Sequence, residues 1–121
     1  VYKRQEDALT RAFAYVEAGA DGIMIHSRKK TADEIIEFCD KFRAKYSDIP
    51  IVVVPTSYNY ITEAELAAHG VNIVIYANQL TRSAFPAMEN TAKEILKNHR
   101  ALEVDSKLMP FKDIITLIDE L

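Results

Sequence analysis

The amino-acid sequence predicts an α/β fold in which three parallel strands alternate with helices, as a portion of a (β/α)8 barrel. Three observations carry that prediction. Ile51–Val54 (IVVV) and Val71–Ala77 (VNIVIYA) are nearly continuous apolar runs, as in strands covered by helices on both faces of a parallel sheet. Successive strands lie roughly 20–30 residues apart, the length of single βα units. The order α-β-α-β-α-β-α-α begins with a bare helix and leaves two apolar strand edges unpaired, a state soluble proteins avoid. A complete barrel takes roughly 250 residues, so about half or more of it is expected to be missing from the 121 residues here.

The elements follow in order. Leu9, Ala12, Phe13 and Val16 fall at helical spacing, with Gly19 as a C-terminal stop. Gly22–His26 reads as a short strand. Thr31 and Glu34 match a T-x-x-E capping box opening a helix that buries Ile35, Cys39, Phe42 and Tyr46. Pro50 precedes the strand Ile51–Val54, and Pro55 ends it by removing a ladder donor. A second T-x-x-E box, Thr62 with Glu65, opens a short helix that stops at Gly70, and Val71–Ala77 is the third strand. Thr81 or Ser83 is expected to cap the next helix, placing Pro86 in its first turn. Met88, Ala92, Ile95 and Leu96 form that helix's inner face. A last helix starts near Phe111 behind Pro110, with Ile114, Ile115 and Ile118 on one side.

The first five residues stand apart. Val1–Gln5 (VYKRQ) is the translation of GTG TAT AAG AGA CAG, the end of a transposase adapter used in sequencing libraries, and is read as an artefact fused to a truncated gene. Residues 6–121 are then one portion of a single barrel domain, with no further boundary, repeat or low-complexity tract.

Composition narrows the function classes. The chain is 49% hydrophobic and 27% charged with a net charge of −3, and it has no long Lys/Arg run. That balance argues against nucleic acid as a partner. A single cysteine, Cys39, excludes an intrachain disulfide and suits a reducing cytoplasm, the expected location. Apolar runs are too short to span a membrane, and no signal peptide is visible. Dinucleotide, P-loop and zinc-protease motifs are absent, as are paired cysteines with metal spacing.

In parallel α/β proteins ligands bind at the C-terminal ends of strands. That places His26 first among candidate site residues, although by position alone it reads equally as a structural histidine. Ser27 follows as a hydroxyl donor. Arg28, Lys29 and Lys30 are read as a solvated basic loop that could also raise the potential around an anionic ligand. Thr56, Ser57 and Tyr58 after the second strand, and Asn78 and Gln79 after the third, lie at the same face and suit turns and caps as well. Asn78 is the better pocket candidate of these. His69 and His99 lie near helix ends and read as solvated, and Cys39 reads as inert core.

Three segments taken in order, EAGADGIMIHSRKK (Glu17–Lys30), IVVVPTSYNY (Ile51–Tyr60) and GVNIVIYANQLTRSAFPAM (Gly70–Met88), resemble the C-terminal part of the phosphoenolpyruvate mutase family, in the isocitrate lyase/phosphoenolpyruvate mutase superfamily. The resemblance implies the C-terminal part of a TIM-type barrel plus C-terminal helices, and an isomerase, an intramolecular phosphotransferase that interconverts phosphoenolpyruvate and phosphonopyruvate by forming a carbon–phosphorus bond, the start of phosphonate biosynthesis. It implies a substrate contact for His26, in the I-x-H-S strand end, and Mg²⁺ as cofactor. The family's metal-binding carboxylates, gating loop and substrate-binding arginine come from earlier strands, so no metal ligand is assigned here. The 121 residues alone are expected to be inactive, and the whole protein to be a homo-oligomer acting on a small molecule. Phosphonopyruvate hydrolase or a carbon–carbon lyase resembling 2-methylisocitrate lyase is the alternative within the superfamily. An alternative of another class is a self-contained, non-enzymatic α/β binding module.

Overall fold

The computed structural model describes the backbone of residues 2–117 and the side chains of residues 6–117. Val1, the side chains of the next four residues, and Ile118 of the expected terminal stripe lie outside the described residues. Along the chain run α1 (Tyr2–Glu17), β1 (Ile23–Ile25), α2 (Asp33–Arg43), β2 (Ile51–Val53), α3 (Glu63–Ala68), β3 (Ile73–Val74), α4 (Gln79–Asn98), a 3-10 helix (Leu102–Lys107) and α5 (Phe111–Ile115). The strands form one parallel sheet in the order β1-β2-β3, with Ile23 opposite Ile51 and Val53 opposite Val74. Chain-order neighbours running parallel are what single βα crossovers produce, so the expected fold class is the one observed.

Two compact units divide the chain, Val1–Ala77 and Asn78–Leu121. The core of the first unit joins Leu9 and Ala12 of α1, Ile23 of β1, four residues of α2, Ile51 and Val53 of β2, and Leu66 of α3. On α2 the expected stripe of Ile35, Cys39 and Phe42 is buried, while Tyr46 lies past the helix end and is half-buried. Phe38, which the stripe omitted, is buried as well. Its ring stacks on Phe42 at 5.7 Å, and Phe42 meets Phe13 at 5.9 Å and Tyr46 at 5.5 Å, so aromatic contact binds α1 to α2. Burying one such ring is worth about 1.5–3 kcal/mol.

Helix α1 ends where expected. Gly19 takes φ +99°, and its N–H and that of Ala20 close on Val16 and Tyr15 carbonyls. The Thr62–Glu65 box also forms, with Glu65 N–H donating to Thr62 Oγ1 and the Glu65 carboxylate accepting from Thr62 N–H. The Thr31–Glu34 box does not. Ala32 occupies the cap position in a helical conformation, and the Glu34 carboxylate turns back to Ser27 and Lys29. A hydroxyl and an ammonium together outcompete one backbone N–H.

Arg43, at the last turn of α2, ties three elements together. Its guanidinium donates to the carbonyls of Ile49 (2.7 Å), Tyr46 (3.1 Å) and Gly70 (3.0 Å) and to Asn72 Oδ1, which also accepts from Ile51 N–H at 2.9 Å. Gly70, at φ +83°, has no room for a Cβ, which would run into the Arg43 side chain. This cluster closes the N-terminal end of β2 and β3, opposite the end that carries His26.

The third strand is shorter than expected. Regular pairing covers Ile73–Val74 alone, with flanking bonds from Asn72 N–H to Ile51 O and from Ile75 N–H to Val53 O. In the second unit, α4 starts at Gln79 rather than at Thr81 or Ser83. Arg82 N–H already bonds Asn78 O, closing a turn there, while Ser83 Oγ donates back to the Leu80 carbonyl instead of capping. Pro86 therefore lies inside the helix, where it cannot donate to the carbonyl four residues before it. Met88, Ala92, Ile95 and Leu96 are exposed, so the expected inner face is uncovered among the described residues. The 3-10 helix packs back on α4 and buries Val104.

Candidate active site

Pairing with β2 holds β1 through Ile25, and His26 is the first residue to leave the sheet. Its imidazole is exposed and borders two neighbouring cavities along β1, whose outer edge is unpaired among the described residues. One, of about 450 Å³, follows the flank of the strand against α1 and Phe38 and offers mostly apolar wall. The other, of about 570 Å³, gathers polar groups of both charges: His26, Ser27, Arg28, Lys29 and Arg11 with Glu34 and Asp7. The second adds the loop after β1 to the imidazole and Arg11, which line both cavities.

Within it the charges are arranged, not scattered. Ser27 Oγ donates to Glu34 Oε2 at 2.9 Å and accepts from Lys29 N–H at 3.1 Å. Lys29 Nζ meets Glu34 Oε1 at 2.7 Å, and Arg11 meets Asp7 at 3.1 Å on α1. Ser27 thus spends its proton on the first turn of α2 and offers a ligand only acceptor capacity. Arg28 and Lys30 are exposed, as a solvated basic loop requires. Lys29 and Arg11 are offset by Glu34 and Asp7, and the exposed imidazole can donate a hydrogen bond to the phosphoryl or carboxylate oxygens of a ligand.

The other candidates are distributed differently. Tyr58 is fully buried in the core, with a weak backbone contact to Val54 and no well-formed hydrogen bond among the described residues. Burial pushes its phenol up to about 12, which removes it from acid–base work near neutral pH. Thr56 and Ser57 are half-buried in the turn after β2. Asn78 belongs to the second unit, where its N–H donates to Gln79 Oε1 at 3.1 Å and its Oδ1 is buried without a partner among the described residues. Burial, with the Asp40 charge second, pushes the Cys39 thiol up to about 11, so it is the inert core residue expected. His69 contacts Asp40 at 2.7 Å rather than water alone, and it precedes β3, at the wrong end of the sheet for this site. His99 ends α4 in a left-handed conformation.

Sequence reasoning missed Glu34 and Tyr60 as site-shaping residues. Glu34 reaches seven residues back, and the Tyr60 hydroxyl, from the turn after β2, accepts the Ala32 N–H at 3.0 Å. Neither distance has a local sequence signal. Among the described residues no group of three His, Cys, Asp or Glu side chains could hold a metal ion. The carboxylate beside His26, Glu34, already serves Ser27 and Lys29, so these residues do not fit Mg²⁺.

A family model described as phosphoenolpyruvate phosphomutase matches residues 1–96. A phosphonopyruvate hydrolase of Variovorax sp. (strain Pal2) is 45% identical over 114 residues, covering 93% of this chain and 38% of the hydrolase. A phosphoenolpyruvate phosphomutase of Streptomyces viridochromogenes is 40% identical over 94% of this chain and 36% of its own. A solved phosphoenolpyruvate phosphomutase from Streptomyces platensis subsp. rosaceus superimposes with a TM-score of 0.84 at 33% identity, over 92% of this chain and 38% of that one. A phosphonopyruvate hydrolase complexed with oxalate and Mg²⁺ gives 0.80 at 44% identity, again over 92% and 38%. The chain spans somewhat over a third of the length of the relatives it matches.

Proposed function

The chain belongs to the phosphoenolpyruvate phosphomutase family, and from that premise we propose that the whole protein is a mutase interconverting phosphoenolpyruvate and phosphonopyruvate, with His26 in its substrate site. The observation that carries this reading is the family match over residues 1–96, which includes β1 and the His26 that follows it. In the proposed role His26 donates a hydrogen bond to oxygens of the migrating phosphoryl group, where negative charge must be held while the group changes partners. Arg28 raises the potential that draws in a polyanionic substrate, the charge of Lys29 being offset by Glu34, and Ser27 ties the turn that follows His26. Mg²⁺, the cofactor implied by the resemblance, would be held by other parts of the whole enzyme and would supply charge neutralisation to the substrate. The working enzyme is proposed to be a cytoplasmic homo-oligomer, and the 121 residues alone to be inactive.

A second reading is favoured by one observation, the 45% identity to a phosphonopyruvate hydrolase against 40% to a mutase. Both readings share the substrate phosphonopyruvate and differ in whether water captures the phosphoryl group. The relatives described above are mutases and a hydrolase, which leaves the carbon–carbon lyase and the binding module without a supporting observation. Phosphorus NMR of the full-length protein with phosphonopyruvate and Mg²⁺ tests the assignment. Phosphoenolpyruvate as product supports the mutase, inorganic phosphate with pyruvate supports the hydrolase, and an unchanged spectrum sinks both. A His26→Ala variant that keeps normal turnover overturns the site assignment.

A further inference from the structure

We propose that Glu34 is a positioning residue: through Ser27 and Lys29 it latches the turn that follows β1 and so sets where the His26 imidazole stands. The inference rests on the reading of His26 as a substrate contact given above and adds to it the device that holds the ring in place.

Beyond Ile25 the backbone leaves the sheet, and six residues separate His26 from the start of α2 at Asp33. A loop of that length holds no fixed position without anchors, and a site residue out of place by about 1 Å can cost about 100-fold in rate. The anchors are present and converge on one carboxylate. Glu34 Oε2 accepts the Ser27 hydroxyl at 2.9 Å, Glu34 Oε1 pairs with Lys29 Nζ at 2.7 Å, and the Lys29 N–H returns to Ser27 Oγ at 3.1 Å. Ser27 and Lys29 are thereby locked to each other and to α2 directly after the imidazole.

The carboxylate is itself on a fixed base. Glu34 lies in the first turn of α2, next to Ile35 and one turn before Phe38, both buried in the core. The helix start is pinned from the neighbouring βα turn, since Tyr60 Oη accepts the Ala32 N–H at 3.0 Å. The Glu34 side chain is 24% exposed, which screens its ion pair less than the surface pairs elsewhere on the chain. A capping role would point the Glu34 carboxylate at a backbone N–H of the helix start. Here Oε2 reaches Ser27 and Oε1 reaches Lys29, both in the turn beside His26.

The test uses the full-length enzyme, with phosphonopyruvate and Mg²⁺ as probes. Glu34→Ala is expected to lower kcat about tenfold or more with a smaller change in KM, because a misplaced donor fails chiefly where charge develops. Glu34→Gln keeps an acceptor for Ser27 and should recover part of that loss. Ser27→Ala cuts the same latch with less risk to folding and should fall between the two. Combining Glu34→Ala with His26→Ala should be no slower than His26→Ala alone to within about twofold, since a residue acting through another adds nothing once that partner is gone. Multiplicative losses in the double variant overturn the proposal, as does a Glu34→Ala enzyme with wild-type kcat. A second readout is independent of turnover: the His26 imidazole resonances, assigned by their loss in His26→Ala, should shift in Glu34→Ala and stay in place in Glu17→Ala, which breaks a surface pair with Lys45 in the same unit. Unmoved resonances in Glu34→Ala overturn the latch. If His26→Ala retains turnover while the resonances still move, the latch stands and the substrate-site reading fails.

Discussion

The two faces of the sheet carry similar residues and meet opposite surroundings. Toward the helices, Ile23, Ile51 and Val53 are 6%, 0% and 0% exposed. On the other face Met24 and Ile73, from the same strands, are 51% and 49% exposed. Alternate strand residues point to opposite faces, so this is one set of strands seen from two sides. Parallel sheets are ordinarily buried on both faces. The apolar runs are therefore written for two covers, of which α1, α2 and α3 supply one. That asymmetry decides which substitutions in this chain should cost stability and which should not.

The largest expected effect lies on the covered face. Phe42→Ala removes a fully buried ring from the contact between α1 and α2 and should cost about 3–5 kcal/mol in urea unfolding. A loss below about 1 kcal/mol would mean that the aromatic packing does not hold the unit together. Cys39 gives a chemical check on the same core: being buried, with its thiol pushed up to about 11, it should react with a thiol reagent only under unfolding conditions. Prompt labelling of the native chain would contradict the packed face.

Next comes Arg43, at the end of the sheet opposite His26. Arg43→Ala strands the carbonyls of Ile49 and Gly70 and should cost about 2–3 kcal/mol, since hydrogen bonds to a charged group are the stronger kind. Arg43→Lys should recover little of it, because an ammonium cannot reach the same set of acceptors as a planar fork. Full recovery by lysine would show that charge alone, not geometry, matters there.

Arg43 also shows where sequence reading reached its limit. The helix and strand order, the parallel sheet and the core stripe of α2 were legible because each has a local period or a local stop, such as Gly19. So was the place of His26 directly after a strand, which needs only the strand and its end. Arg43 and Glu34 were not legible as anchors, since their partners lie up to 29 and 7 residues away and are found only once the chain has folded. The Thr31 box failed for the same reason: a local pattern offered Glu34 one partner and the tertiary turn offered two. Helix α4 was legible as a helix but not in its burial, because an apolar stripe does not say what covers it.

A smaller effect is expected at α3. Thr62→Ala removes the cap and should cost about 1 kcal/mol. The backbone N–H and hydroxyl of Thr62 hold the Glu65 carboxyl below its ordinary value, so the folded state binds that proton less readily than the unfolded one. The box's contribution is then fully present above the ordinary glutamate range of about 4.3 and is lost as pH falls through the lowered folded value. The stability gap between wild type and Thr62→Ala should accordingly be flat from neutral pH to about pH 5 and narrow below it. A gap that widens on acidification would put the sign wrong and remove Glu65 from the box.

The smallest effect should come from the uncovered face, and it tests the comparison most directly. Met24→Ser in the 121-residue chain exchanges a half-exposed apolar side chain for a polar one. With little area removed from water at that position, the change in stability should stay within about 0.5 kcal/mol. The same chemistry one residue along, Ile23→Ser, should cost several times more, because Ile23 is 6% exposed and packs in the core. In the full-length protein the two should converge if the second face is covered there, with Met24→Ser rising to about 2 kcal/mol or more. The difference between chain and whole protein at Met24 therefore measures how much cover the rest of the protein provides. An equal, small effect in both would mean that this face stays open to solvent, and that the apolar row of Met24, Val52 and Ile73 serves something other than a core.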